Sequence, residues 1–148
     1  MTPIDPIESE EDLGAIVRAA RIVAVVGMKD GSDPEAPAFT VPRRLQTRGL
    51  KIIPVNPKLS EALGERAYPS LAAVPEHFDV VDVFRRSDAV GPLADEILAL
   101  PPEKRPQVVW MQTGIRNEGA AVRLHEAGIT VVMDRCLGVY AARYREPA

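Results

Sequence analysis

Apolar positions follow two rhythms along this chain. Five short runs are apolar almost throughout and rich in β-branched residues: residues 22–26, 51–55, 79–84, 107–111 and 130–133. Runs of this length and composition predict strands covered on both faces. Elsewhere apolar residues recur every three or four positions, which predicts amphipathic helices. Leu13, Ile16, Val17 and Ala20 share one helical face ahead of the first strand. Ser9 followed by Glu10, Glu11 and Asp12 reads as the start of that helix, with acids at the positive end of its dipole. Val90, Leu93, Ala94, Ile97 and Leu98 form a face after the third strand, and Ala121 with Leu124 after the fourth. A short last helix is predicted over residues 138–145.

Proline, glycine and small polar residues punctuate these runs. The second helix is predicted over residues 40–48, with Thr40 as its cap, Pro42 in its first turn and Gly49 at its end. Pro54 lies inside the second strand, where its missing N–H predicts an unpaired edge or a local irregularity. Asn56-Pro57 closes that strand. A short piece over residues 65–68 leads to Ser70, read as the cap of a short helix through residue 74. Gly91-Pro92 predicts an irregular first turn in the helix that begins at Ser87 and Asp88.

After the first helix, strands and helices alternate strictly, which implies parallel strands joined by helical crossovers. The expected fold is α/β: a Rossmann-like three-layer α/β/α domain with a five-stranded, mainly parallel sheet in the order 3-2-1-4-5. Residues 1–148 form one domain in this reading, with residues 1–8 as a loose amino-terminal arm. Ligands of such sheets bind beyond the carboxyl ends of the strands, where the order reverses. That edge collects Gly27 to Lys29, Asn56-Pro57, Phe84-Arg85-Arg86, Gln112-Thr113-Gly114 and Asp134-Arg135-Cys136.

Composition narrows the classes. The chain of 148 residues is 46% hydrophobic, enough for one well-filled core. Its net charge of -3 argues against general nucleic-acid or acidic-membrane binding, so any anion site is a local patch. No apolar run reaches membrane-spanning length, and the first residues lack the basic and apolar regions of a signal peptide. A cytoplasmic protein is expected. The single cysteine, Cys136, excludes an internal disulfide and a multi-cysteine metal site. His77 and His125 lack metal-ligand spacing, and no metal is expected.

A dinucleotide fingerprint needs three glycines at set spacing and an acid closing the second strand. Here Gly27 is followed by Met28-Lys29-Asp30-Gly31, and the second strand closes on Asn56. Nicotinamide binding is therefore the second reading. The ligand edge offers cations instead: Lys29 in the first loop, Arg43 and Arg44 in the next helix, and Arg85 and Arg86 after the third strand. Arginine pairs with phosphate oxygens bidentately, and a helix start supplies free N–H groups to an anion. Arg44, Arg86 and Arg116 read as solvated surface. Cys136 reads as a small residue buried after a strand. Asp82, flanked by Val81 and Val83, reads as a structural acid hydrogen-bonded to neighbouring backbone.

Five blocks carry a resemblance: Ile22-Val23-Ala24-Val25-Val26-Gly27, Ile53-Pro54-Val55-Asn56-Pro57, Val81-Asp82-Val83-Phe84-Arg85-Arg86, Trp110-Met111-Gln112-Thr113-Gly114-Ile115 and Val131-Val132-Met133-Asp134-Arg135-Cys136. In this order they resemble the CoA-binding protein family of small single-domain proteins, and they are similar to the nucleotide-binding domain of the succinyl-CoA synthetase alpha subunit. The resemblance implies binding of coenzyme A or an acyl-CoA. It implies a diphosphate at Gly27, Met28 and Lys29, with the amides near Thr40, Val41 and Arg43. It implies an adenosine end near Asn56, Pro57, Phe84 and Arg85, and a pantetheine arm toward Gln112 and Gly114. The first loop departs in charge, since Asp30, Asp33 and Glu35 lie close to these expected phosphates. The synthetases carry their phosphorylated histidine in further domains, for which this chain has no room. The expectation is a stand-alone CoA-binding module with no catalytic residues of its own, whose partner is the small-molecule ligand, with a protein partner or a homo-oligomer also open. A redox enzyme or sensor using NAD(P), and an interaction subunit with a vestigial nucleotide site, are the alternatives.

Overall fold

The computed structural model describes residues 9–148. The expected arm, residues 1–8, lies outside them. In chain order the elements are α1 (Glu10–Ala19), β1 (Ile22–Val26), α2 (Pro37–Thr47), β2 (Lys51–Val55), β3 (Glu61–Ala62), β4 (Glu65–Arg66), β5 (Val80–Val83), α3 (Val90–Ala99), β6 (Val108–Met111), α4 (Glu118–Glu126), β7 (Thr130–Val132) and α5 (Leu137–Tyr144). Five parallel strands form the main sheet, in the order β2-β1-β5-β6-β7, and β3-β4 is a small antiparallel hairpin. The Rossmann-like three-layer architecture is as expected.

The sheet is buried on both faces because its strands alternate between two helix layers. Val23, Val25, Ile52, Val80, Trp110 and Val132 face Leu13 and Val17 of α1, Leu45 of α2, and Leu137 and Tyr140 of α5. Ala24, Val26, Ile53, Val81, Val109 and Met111 face Leu93 and Ile97 of α3 and Leu124 of α4. At about 25 cal/mol per Å² of apolar surface, this double burial is the main force holding the layers together. The largest fully buried side chain is Trp110. Its indole N–H donates to the Arg135 carbonyl at 2.8 Å, which ties β6 to the loop after β7.

Counting the five sheet strands in chain order, the sheet runs 2-1-3-4-5. The third of them, β5, pairs with β1 rather than lying outside β2 as the order 3-2-1-4-5 would place it. Pro54 supplies part of the reason. It has no N–H on the outer side of β2, so a full ladder cannot continue there. A single bridge forms instead: Tyr68 donates to the Pro54 carbonyl at 3.0 Å and accepts from the Asn56 N–H at 2.9 Å. The proline thus marks an edge strand. The connection from β2 to β5 contains the β3-β4 hairpin and a 3-10 turn at Leu71–Ala73. No side-chain bond from Ser70 caps that turn. Leu71, Val74 and Phe78 fill the face that a helix would otherwise cover.

Other boundaries follow the sequence closely. Ser9 caps α1 by accepting from the Asp12 N–H at 3.1 Å. A 3-10 turn at Ser87–Ala89 precedes α3, which is the irregular start that Gly91-Pro92 implied. Asn117 caps α4 through the Ala120 N–H at 2.9 Å. The second helix differs: α2 begins at Pro37, with Ala36 as its extended N-cap residue, and Thr40 lies inside it. Two prolines compete for the start, and Pro37 takes the N1 position. Its ring also holds Ala36 extended, which ends the preceding loop.

Candidate functional site

The order reverses between β1 and β5, so the switch point lies at their carboxyl ends. A cleft of about 370 Å³ opens there, lined by Gly27, Lys29, Ala36, Pro37, Ala38, Phe84, Arg85, Arg86 and Ile115. Its walls are the end of β1, the first turn of α2, and the loops after β5 and β6. A second cleft of similar volume lies beneath α1 at the opposite edge of the sheet, where Ile16, Ala19, Val80 and Val108 line it without a cation. A third cleft, of about 470 Å³, is lined by Arg18, Arg48 and Arg145, but Arg48 and Arg145 already donate to backbone carbonyls there.

Gly27 forms the floor. Its φ is +84°, and a Cβ placed on it would lie 2.4 Å from the Phe84 carbonyl oxygen. Its N–H donates to the Val55 carbonyl at 2.9 Å, and Phe84 N–H donates to the Val26 carbonyl at 2.9 Å. The glycine is thus required by the close approach of β1 and β5 themselves, and that same approach leaves the backbone open toward the cleft.

The start of α2 forms one side. No side chain caps it and its first turn holds no acid, so its positive end faces the cleft unneutralised. Lys29 stands beside it, exposed and paired with Asp33 at 3.1 Å. Two of the three loop acids are occupied: Asp33 holds Lys29, while Asp30 accepts from both the N–H and the hydroxyl of Ser32; Glu35, before the α2 N-cap residue, is exposed. Those two bonds hold the Asp30 carboxyl below the usual range. On the far side, Arg86 is paired with Asp88 at 2.5 Å. Arg85 is half-buried and, among the described residues, has no carboxylate within ion-pair distance. Phe84, Pro37 and Ile115 give the cleft an apolar wall below this cationic rim.

Of the residues singled out from the sequence, Gly27, Lys29, Phe84 and Arg85 come together in the cleft. The others are placed differently. The Met28 side chain is fully buried in the core. Asn56 donates to the Met28 carbonyl and accepts from the Lys58 N–H, both at 2.9 Å, so its amide locks the ends of β1 and β2 together. Pro57 is exposed beyond it. Thr40 donates its N–H to the Ala36 carbonyl within the helix and is no cap. Val41 is buried against the sheet. Arg43 lies on the solvent side of α2, its guanidinium 5.3 Å from the Phe39 ring centre. Gln112 is buried, and its side-chain oxygen accepts from the Leu137 N–H at 2.9 Å, so it serves the start of α5. Gly114, at φ +83°, donates to Asp134 at 2.6 Å. That bond, with Arg116 N–H to the Ser87 hydroxyl at 3.0 Å, laces the loops after β5, β6 and β7.

Ala36, Pro37, Ala38, Arg86 and Ile115 line the cleft without having been singled out as binding residues. The first three were legible as an Ala-Pro helix start, a signal that Thr40 and Pro42 obscured. Asp82 also departs from expectation. It is fully buried and neither oxygen has a hydrogen-bond partner, because its strand neighbours offer only Val25 and Trp110. Burial alone pushes its carboxyl well above the usual range. Cys136 is half-buried against the α1, α2 and α5 layer. Among the described residues no group of His, Cys, Asp or Glu is arranged to hold a metal, and no helix is long and apolar enough to cross a membrane.

A parallel sheet with a cationic cleft and an uncapped helix start at its switch point defines a protein of the Rossmann-like nucleotide-binding class. Within that class, the family model described as the CoA binding domain matches residues 21–142, and the chain belongs to that family. It is 39% identical over 131 residues to the uncharacterized protein YneT of Bacillus subtilis, covering 88% of this chain and 93% of the relative. The solved structure of the Thermus thermophilus protein called cell-free ID.343 is 39% identical, with a TM-score of 0.83 over 93% of this chain and 99% of that one. A hypothetical protein from Pyrococcus horikoshii is 31% identical, with a TM-score of 0.84 over 97% of this chain and 99% of that one.

Proposed function

We propose that the cleft between β1 and β5 binds coenzyme A or an acyl-CoA, and that the chain acts as a binding module without catalytic machinery of its own. The observation that carries this reading is the convergence of the uncapped α2 start, Lys29 and half-buried Arg85 on one cleft. The diphosphate takes the α2 start and the Gly27 to Lys29 turn, with Lys29 exchanging Asp33 for a phosphate oxygen. Arg85 supplies a charge that needs no prior release. The adenosine end lies on the Phe84 side, and the pantetheine arm leaves along Ile115. Family membership supports the ligand class. The engagement of Asn56 by Met28 and Lys58 weighs against the NAD(P) alternative, since no acid or free amide closes β2 for a ribose.

Titration calorimetry with CoA tests the placement. Arg85→Ala is expected to weaken binding about tenfold or more, the scale of one charge-assisted hydrogen bond. Lys29→Ala is expected to weaken it less, because that lysine is already paired. Arg116→Ala is expected to bind as the parent does. Equal affinities in all three would remove the site from this cleft. A reduced nicotinamide released on denaturation, seen by its absorbance, would replace CoA with the second reading.

A further inference from the structure

Pro42 sits in the interior of α2, five residues past its N1 proline. Proline is the least favourable residue in a helix interior, and its ring nitrogen cannot donate to the carbonyl four residues earlier. That carbonyl belongs to Ala38, a residue only 8% exposed. A backbone oxygen in such a place needs a partner. It has one from outside the helix: the Lys29 N–H donates to it at 3.1 Å. Lys29 and Ala38 both line the cleft, one on the β1 loop and one on the first turn of α2.

We infer that Pro42 is a positioning residue for the ligand cleft. By withholding a donor from α2, it reserves the Ala38 carbonyl for Lys29. The resulting bond staples the β1 loop to the helix start and fixes the separation of the two groups that would hold an anion. Any other residue at position 42 brings an N–H to the same carbonyl, and the helix competes with the loop for it. The unfavourable proline is then explained by what it leaves unpaired. The affinity part of this inference rests on the CoA-binding reading; the staple itself does not.

Pro42→Ala tests it with three measurements on the full chain. Exchange of the Lys29 amide proton, followed by NMR, is expected to speed up about tenfold or more as the loop opens locally. The unfolding temperature is expected to hold or rise, because α2 gains a better helix former. CoA affinity is expected to fall about fivefold through lost preorganisation. Pro42→Val, which also restores the N–H, is expected to give the same exchange and affinity changes. Lys29 exchange at the parent rate in both variants overturns the inference. So does faster exchange with unchanged affinity, or a loss of affinity that appears only alongside general destabilisation of α2. If the parent protein ignores CoA, inorganic pyrophosphate serves as the probe. A weaker pyrophosphate affinity in Pro42→Ala then keeps the positioning role and removes the CoA reading, and no loss for either probe overturns the positioning role.

Discussion

Asp82 stands in the middle of β5 with neither oxygen hydrogen-bonded, between Val25 and Trp110. Burial disfavours its charged form and raises its pKa in the folded state. A carboxyl raised by folding stabilises the protein fully only below its unfolded pKa, about 3.9, and that stability is lost as pH rises through the folded value. Asp82→Asn has almost the same shape and no proton to lose. It is therefore expected to unfold at a higher temperature than the parent at pH 8, with the gap narrowing toward pH 4. Thermal unfolding across that range checks it, and a gap independent of pH would mean that Asp82 has the same pKa folded and unfolded, so that burial does not raise it. The sequence names such residues but not their surroundings. Lys29 and Arg85 were legible as cations at strand ends. Met28 was not legible as core, because the positive φ of Gly27 breaks the alternation by which a strand residue's face is read. The structural bonds of Gln112 and Asn56 were not legible for a related reason: an amide near a ligand edge serves a neighbouring helix or strand end equally well.

Among the elements, the β1–α2 unit holds the first wall of the cleft, and its junction with β5 leaves no spare space. A side chain at Gly27 meets the Phe84 carbonyl, which is backbone and cannot swing aside. The resemblance read from the sequence made Gly27 a site glycine, placed at the expected diphosphate. The structure makes it a glycine of the sheet first. Gly27→Ala is accordingly expected to destabilise the fold by about 1–3 kcal/mol from the positive φ alone, with the carbonyl clash adding to that. Chemical denaturation gives the figure. An alanine variant as stable as the parent, with binding lost, would restore the ligand as the reason for the glycine. The start of α2 was the boundary least legible from sequence, since Pro37, Thr40 and Pro42 each carry a start signal. The start at Pro37 goes with an extended Ala36 before it and with the Lys29 N–H donating to the Ala38 carbonyl in its first turn.

For the whole molecule, alternation and periodicity were sufficient to read the five strands and the layers, because burial on both faces writes an unbroken apolar run. The neighbour of each strand was less legible. Placing β5 beside β1 depends on Pro54 leaving β2 as an edge and on the helix-free connection after it, and neither is a periodic signal. This order puts the cleft at the carboxyl ends of β1 and β5 and leaves the amino-terminal edge to hold α1, α2 and α5 together within their one layer. Arg145 does so. Its guanidinium donates to the carbonyls of Val17, Arg18 and Ala20 at the end of α1 and to that of Arg48 after α2, at 2.9 to 3.2 Å. Arg48 returns a bond to the Arg145 carbonyl at 2.8 Å. Carbonyls at helix ends otherwise lack partners, and a cation there also meets the negative dipole end. Arg145→Ala is expected to lower stability by about 2–3 kcal/mol, the scale of several hydrogen bonds to a charged group in part-buried surroundings. CoA affinity is expected to stay at the parent value, because these contacts lie across the sheet from Gly27, Lys29 and Arg85. Denaturation and calorimetry on the same sample separate the two. A parallel loss of affinity would mean that the amino-terminal edge sets the geometry of the cleft, and the sheet would then have to transmit strain along its full strand length.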